Sequence, residues 1–133
     1  MAAPSKETRE TVYARDGHRC VACGSYLLTF QHRRAVGMGG SKNLPAPVDG
    51  LALCAICNAG CEGGMQAQAL RYGWKVRAWV TNPERVPVFY PREMRWCRLE
   101  GTYRVPITYS VAMEMGCSVY GREWLDWHEA VIV

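Results

Sequence analysis

Two Cys-x2-Cys pairs, Cys20/Cys23 and Cys54/Cys57, constrain the fold of this chain more than any other feature. Four thiolates in two short-spaced pairs suit a tetrahedral zinc ion, which needs four soft ligands around one point. Cysteines are also buried as small hydrophobic residues, but two pairs of this spacing favour a metal. Either Cys57 or Cys61 could be the fourth zinc ligand. Cys57 is favoured, because the sequence predicts that the chain passes there directly from a strand into a helix, which is a usual place for such a pair of ligands.

Length and cysteine usage indicate a small intracellular protein. A chain of 133 residues is expected to form one domain. Its first sixty residues alone would bury too little apolar surface for a stable core, so a bound structural metal is favoured there. The seven cysteines do not suggest a disulfide ladder, and neither a signal peptide nor a membrane span is apparent. We expect a cytoplasmic location.

The residue pattern predicts an α+β fold. In the first half it predicts a helix over 5–16, strands over 26–32 and 51–53, a loop over 37–41 and a helix from beyond 57 to about 72. In the second half it predicts a strand over 74–80, an extended piece over 86–90, a hairpin over 96–105 and a short helix near 111–115. At strand spacing the aromatic residues of this half are expected in the core, and stacking on bases is the alternative. Cys97 and Cys117 are expected to be buried.

A histidine stands between the cysteine pairs in the stretch Gln31-His32. An imidazole titrates near neutral pH and can take a proton from water, as phosphodiester hydrolysis requires. Asn58, directly after the second pair, and Gln31 offer oxygen atoms of the type that Mg²⁺ or Mn²⁺ accepts. A lone histidine is usually a packed or surface residue, but this position favours a general base.

Basic residues cluster around the same segment, although the whole chain is only mildly basic, with a net charge of +4. A cluster of this kind is compatible with nucleic acid, and an ordinary solvated face is the alternative. The residues that we expect to contact DNA are Arg19, Arg33, Arg34 and Lys42.

Four stretches together resemble the HNH endonuclease family, and most closely the small HNH proteins encoded by bacteriophages. They are RDGHRCVACG from residue 15, QHRR from residue 31, GMGG from residue 37 and LALCAICN from residue 51. The match covers about residues 9 to 90, because YGW from residue 72 and PERVPV from residue 83 also look like that subgroup.

The resemblance implies a zinc-stapled ββα-metal core, which is treble-clef-like, over residues 1–73, with a β-rich extension over 74–133 packed on it. The hairpin would present His32 as general base, and Asn58 on the following helix would be the final ligand of a catalytic Mg²⁺ or Mn²⁺. Arg33 and Arg34 would contact the phosphates of DNA, because a planar guanidinium suits a phosphate anion. The implied activity is metal-dependent cleavage of DNA.

Two residues depart from the HNH pattern. Asp49 stands where the middle asparagine of the motif is usual, and it keeps only the acceptor half of that residue's role in orienting the histidine. Gln31 stands where Asp or His is common, and Glu62, four residues after Asn58, offers a carboxylate on the same helical face. These departures motivate a second hypothesis: a zinc module that binds DNA or a phage or host protein without cleavage. A purely structural zinc domain is a third.

Overall fold

A computed structural model describes residues 2–34 and 43–132, and side chains as far as residue 129. The predicted loop over 37–41 and the predicted DNA contact Lys42 lie outside these described residues. Within them the chain is an α+β protein with a two-stranded and a three-stranded antiparallel sheet. Among the same residues, no helix is both long and apolar enough to cross a membrane.

The first helix, α1 (Lys6–Arg15), confirms the prediction for this segment. The Ser5 hydroxyl accepts a hydrogen bond from the Thr8 amide at 3.1 Å, which satisfies one of the free N–H groups at the helix start. The helix ends before Gly17, whose φ of +77° is a backbone conformation that glycine adopts without strain.

A hairpin and a short helix follow. Strand β1 (Thr29–His32) pairs antiparallel with β2 (Gly50–Leu53), so that His32 lies opposite Gly50. Helix α2 (Ala55–Gly60) starts directly after β2. The strand predicted from residue 26 begins three residues later, because Ser25 is bonded to the Cys20 amide and holds the chain in the preceding turn.

The single helix predicted from 57 to 72 is wrong, because the chain forms two helices there. Helix α2 ends at Gly60, and α3 (Gln66–Arg71) begins after a turn closed by the bond from the Met65 amide to the Gly60 carbonyl. The sequence between them contains Gly63-Gly64, and glycine costs about 1 kcal/mol relative to alanine inside a helix. A turn is therefore the favoured conformation at this point.

The strand predicted over 74–80 is also wrong. The segment makes one isolated parallel bridge, between Arg34 and Val76, and then turns, with the Val80 amide donating to the Arg77 carbonyl at 3.0 Å. The alternation of apolar and polar residues in this segment reflects the burial of Trp74, Val76 and Val80 in the core. Among the residues that the structure describes, no strand lies alongside to complete a ladder.

The predicted hairpin is confirmed within the three-stranded sheet. Its strands are β3 (Val88–Tyr90), β4 (Arg95–Glu100) and β5 (Tyr103–Ile107), in the order β3-β4-β5. Gly101, with φ of +54°, lies in the tight turn between β4 and β5.

The end of the chain is helical, so the β-rich extension predicted over 74–133 is half right. Helix α4 (Tyr109–Tyr120) is much longer than the short helix predicted near 111–115, and α5 (Arg122–Ile132) was not predicted. The two helices pack closely because Gly116 has no side chain: a Cβ there would collide with the Trp124 ring. This packing depends on two residues from different helices, so the sequence around either residue alone does not indicate it.

A buried ion pair joins the two halves of the chain. Arg15 and Asp16 contact each other at 2.9 Å, and Arg15 donates to the Gly50 carbonyl at 2.7 Å. Asp16 in turn accepts from the Ala52 amide at 3.0 Å and from the Tyr90 hydroxyl at 2.7 Å. One apolar cluster likewise contains residues of β2, α3, β3 and β4, so residues on both sides of position 73 share a core.

We predict that Gly73→Ala destabilises the fold far more than Gly101→Ala. Both glycines have a positive φ, and an alanine in that region costs about 1 to 2 kcal/mol. A Cβ at Gly73 would also collide with the backbone carbonyl of Pro87, whereas one at Gly101 meets no atom within 4 Å. Thermal unfolding followed by circular dichroism measures both; equal losses for the two variants would contradict the packing described for Gly73.

Candidate metal centre and the His32 cavity

The four cysteines of the two pairs come together. The sulfur atoms of Cys20, Cys23, Cys54 and Cys57 all lie within 4.8 Å of one another, and the Cys23 and Cys54 sulfurs are 3.7 Å apart. Zinc–sulfur bonds of about 2.3 Å in a tetrahedron place neighbouring sulfurs about 3.8 Å apart. The cluster can therefore hold a metal ion such as zinc, and Cys61 is not part of it.

Short-range hydrogen bonds place these cysteines. The Cys20 carbonyl accepts from the Gly24 amide at 2.8 Å, which closes the turn that contains the first pair. The Val21 amide donates to the Ala52 carbonyl at 2.9 Å and so fixes this turn beside β2. Cys54 caps the start of α2, and Cys57 lies in its first turn.

Position, rather than pKa, separates the ligands from Cys61, because burial raises the pKa of Cys57 as well as that of Cys61. The backbone N–H of Cys57, 3.5 Å from the Cys54 sulfur, lowers the pKa of Cys54 to about 7, so a thiolate is available there at neutral pH. Burial raises the pKa of Cys57, whose proton a metal must displace. Burial also raises the pKa of Cys61, to about 11, which keeps it a neutral thiol in the core.

We predict that the chain binds one zinc ion, that Cys57→Ser abolishes tight binding and that Cys61→Ser retains it. Serine keeps the size of cysteine but offers no soft thiolate ligand. Zinc content by mass spectrometry, together with the charge-transfer absorption of a cobalt-substituted protein, distinguishes the two variants. Equal zinc content in both would show that the four-cysteine assignment is wrong.

His32 ends β1 and opens onto a cavity of about 340 Å³. Its imidazole Nε2 lies 2.9 Å from the Ala2 carbonyl oxygen. Because a carbonyl only accepts, Nε2 carries the proton and Nδ1 keeps the lone pair. The ring also contacts the edge of Phe30, which fills the space left by Gly50 on β2.

Asp49 lines the same cavity and ties the loop before β2. One of its carboxylate oxygens accepts from the Ala46 amide at 2.7 Å, and its carbonyl accepts from the Arg33 amide at 2.8 Å. The side chain thus acts as a hydrogen-bond acceptor that fixes the loop beside His32.

The two amide residues predicted as ligands of a catalytic ion do not join this cavity. Gln31 is only 3% exposed and donates to the Trp74 carbonyl at 3.4 Å, because alternation along β1 directs it away from His32. Its prediction as a metal ligand is wrong. Asn58 lies on α2 and donates to the Thr29 hydroxyl at 2.9 Å, and it is not among the residues that line the cavity.

The donors of a hard divalent ion are therefore not assembled in the described part of the chain. There, the four cysteines are the one group of three or more His, Cys, Asp or Glu side chains placed to hold an ion. Glu62, the carboxylate near Asn58, is paired with the Lys75 ammonium at 2.8 Å. The described residues alone do not fit a protein cage for Mg²⁺ or Mn²⁺.

Arg33 is fully buried, so the prediction that it contacts phosphate is wrong. Its guanidinium donates to four backbone carbonyls at 2.9 to 3.0 Å, those of Val48, Gly73, Pro83 and Val86. Burial lowers its pKa to about 10, which leaves it a cation at neutral pH. The sequence gives no sign of this role, because the four acceptors are backbone atoms of distant segments.

The remaining basic residues take different positions. Arg34 lines the His32 cavity and donates to the Val80 carbonyl at 2.8 Å. Arg19 bonds the Gly24 carbonyl at 2.8 Å and stacks over Tyr26, beside the cysteine cluster rather than the cavity. Only Arg34 of these predicted DNA contacts therefore accompanies His32 in the described residues.

Some residues that line the His32 cavity were not predicted from the sequence. Thr81, Pro83 and Glu84 line it together with Ala2, and none of them was assigned a role from sequence. The stretch beginning at residue 83 belongs to the resemblance described above, which is the one signal that could have pointed to it.

We predict that Arg33→Met lowers the free energy of unfolding by about 3 kcal/mol or more, because it leaves several buried carbonyls without donors. Arg34→Met, which removes one bond from a half-buried residue, should cost less than about 1 kcal/mol. Urea unfolding with zinc present measures both. An Arg33→Met protein as stable as Arg34→Met would overturn the structural role of Arg33.

Comparisons with known proteins add no relative to this description. No protein-family model, curated protein or solved structure matches the chain. The function is therefore argued from the described residues and from the motif resemblance.

Proposed function

We propose that the chain is a zinc-stapled, metal-dependent DNA endonuclease of the HNH type, with His32 as general base. One observation carries the proposal: His32 ends a hairpin strand and opens onto a cavity that it shares with Arg34 and Asp49. The other strand of that hairpin leads directly into Cys54 and α2. The order of hairpin, cysteine pair and helix agrees with the ββα-metal arrangement that the resemblance implies.

The proposed reaction is hydrolysis of a phosphodiester. A water oxygen attacks phosphorus, His32 takes the proton of that water at Nδ1, and the bond from phosphorus to the 3′ oxygen breaks. The departing 3′ oxygen takes a proton from solvent water and leaves as a hydroxyl. The Ala2 carbonyl accepts from Nε2 and stabilises the imidazolium that forms. Arg34, which lines the same cavity, supplies a positive charge for the phosphate.

A catalytic divalent ion belongs to the proposal through the resemblance and through the charge of the cavity. The described side chains do not assemble a cage for it. The carboxylates of Asp49 and Glu84 nevertheless line the cavity and oppose an entering phosphate. Magnesium or manganese, if bound with the substrate, would supply positive charge to offset these carboxylates.

A second candidate function is a zinc module that binds DNA, or a phage or host protein, without cleaving. It is favoured by the internal hydrogen bonds of three residues for which the sequence predicted contacts with a catalytic ion or with phosphate: Gln31, Arg33 and Asn58. Cleavage that disappears both with EDTA and in His32→Ala would decide against this candidate. Salt-sensitive DNA binding without cleavage in several metals would support it.

We predict that His32→Ala slows nicking of supercoiled plasmid by about 10² to 10⁴, the usual contribution of a general base. His18→Asn is the matched control, because asparagine tolerates the positive φ of His18 and the residue lies in the turn after α1. The assay is run in Mg²⁺ and in Mn²⁺, with zinc content and circular dichroism measured on each variant. A His32→Ala protein that nicks plasmid as fast as wild type would show that His32 is not the general base.

A further inference from the structure

Trp79 is an exposed aromatic residue close to the His32 cavity. The residue is 60% exposed and lies in the turn closed by Val80 and Arg77. Its one ring contact among the described residues is with Tyr120, at a centroid distance of 5.4 Å and an interplanar angle of 84°. An edge contact of this kind covers at most one face of the indole, so at least one face is free to meet a ligand.

The surface around Trp79 adjoins the cavity of His32. Trp79, Thr81, Asn82 and Arg85 line a second, shallower cavity of about 240 Å³, together with Ser118 of α4 and two valines; these first four residues are called the stacking surface. Thr81 lines both cavities. In the short turn Pro83–Arg85, Glu84 lines the His32 cavity and Arg85 lines the Trp79 cavity.

The two residues that follow His32 hold this segment in place. The Arg33 guanidinium donates to the carbonyls of Pro83 and Val86, at 3.0 and 2.9 Å. The Arg34 guanidinium donates to the Val80 carbonyl at 2.8 Å. The chain from 80 to 86 is therefore fixed relative to the imidazole before any ligand binds, and a preorganised surface loses less conformational entropy on binding.

Charge on the stacking surface suits an anion. Arg85 carries the single charge among the described residues that line the Trp79 cavity, and none of the ion pairs within the described part of the chain includes it. Arg77, in the same turn as Trp79, is by contrast paired with Glu123 at 3.2 Å. Arg85 also lines a further cavity together with Glu84, Glu100 and Glu114, but it forms no ion pair with them. An exposed indole beside a cation that forms no ion pair among the described residues offers one group for a base and one for a phosphate.

We propose that the stacking surface binds an unpaired base of the DNA strand whose phosphate enters the His32 cavity, with Arg85 on a neighbouring phosphate. A base inside a duplex has both faces covered by its neighbours, so an indole on a fixed segment stacks only on an unpaired or flipped base. The substrate class is DNA with single-stranded character at the cleavage site, such as a single strand, a bulge or a branch. This inference rests on the proposed function for the position of the scissile phosphate.

Binding and cleavage are separable, which makes the inference testable by itself. A fluorescent single-stranded oligonucleotide with phosphorothioate linkages, and a duplex of the same sequence, are titrated with the full chain and followed by fluorescence anisotropy. The variants are Trp79→Ala, Trp79→Phe and Arg85→Ala. The matched controls are Tyr103→Ala, 54% exposed on β5, and Arg95→Ala, exposed on β4; neither residue lines either cavity.

Wild type should bind the single strand more tightly than the duplex. Trp79→Ala should weaken single-strand binding roughly 5- to 150-fold, the range for losing one base–aromatic stack, while Trp79→Phe retains most of it. Arg85→Ala should weaken binding and reduce its salt dependence, as the loss of a phosphate contact does. Tyr103→Ala and Arg95→Ala should bind within about twofold of wild type.

Single-strand binding by Trp79→Ala that equals wild type would overturn the inference, and so would a wild-type protein that binds no oligonucleotide or prefers the duplex. Plasmid nicking by the same preparations separates this failure from failure of the proposed function. Nicking that depends on His32 but not on Trp79 leaves the endonuclease in place and rejects the stacking surface. Binding that depends on Trp79 without any nicking supports the stacking surface and rejects the cleavage reaction.

Discussion

The geometry around His32 depends on the hydrogen bonds that the buried guanidinium of Arg33 donates to four backbone carbonyls. The four carbonyls belong to Val48 in the loop before β2, to Gly73 just after α3, to Pro83 at the start of the Pro83–Arg85 turn and to Val86 just after it. A cation at this point stays charged at neutral pH and pairs acceptors that would otherwise be buried without donors. The walls of the His32 cavity are therefore positioned by a residue that cannot touch the substrate.

The cysteine cluster fixes the other end of the same hairpin. Cys54 follows β2 directly, and the turn that contains Cys20 is bonded to β2 through Val21 and Ala52. A structural metal couples its binding energy to folding, which matters in a chain with a small core. His32 thus lies between two anchors, one built from thiols and one from a guanidinium, and its position follows from both.

Local signals in the sequence predicted local structure correctly. The helix over 5–16, the passage from strand to helix at the second cysteine pair and the hairpin over 96–105 each depend on neighbouring residues, and each is found as expected. Apart from the helix that the pair Gly63-Gly64 divides, the main failed predictions concern residues whose distant partners decide the outcome. Arg33 was read as a phosphate ligand because its carbonyl partners are invisible in the sequence. The alternation over 74–80 predicts a strand, but within the described residues no neighbouring strand pairs with this segment.

The measurement that tests the central claim most directly is nuclear magnetic resonance of the histidine imidazoles during titration with DNA. The chain contains three histidines, and His128, buried against Trp124, serves as an internal control. The account predicts that the His32 resonances shift with added oligonucleotide in proportion to binding, while those of His128 stay in place. DNA binding that leaves the His32 resonances unchanged would contradict the assignment of this cavity as the site of phosphodiester chemistry.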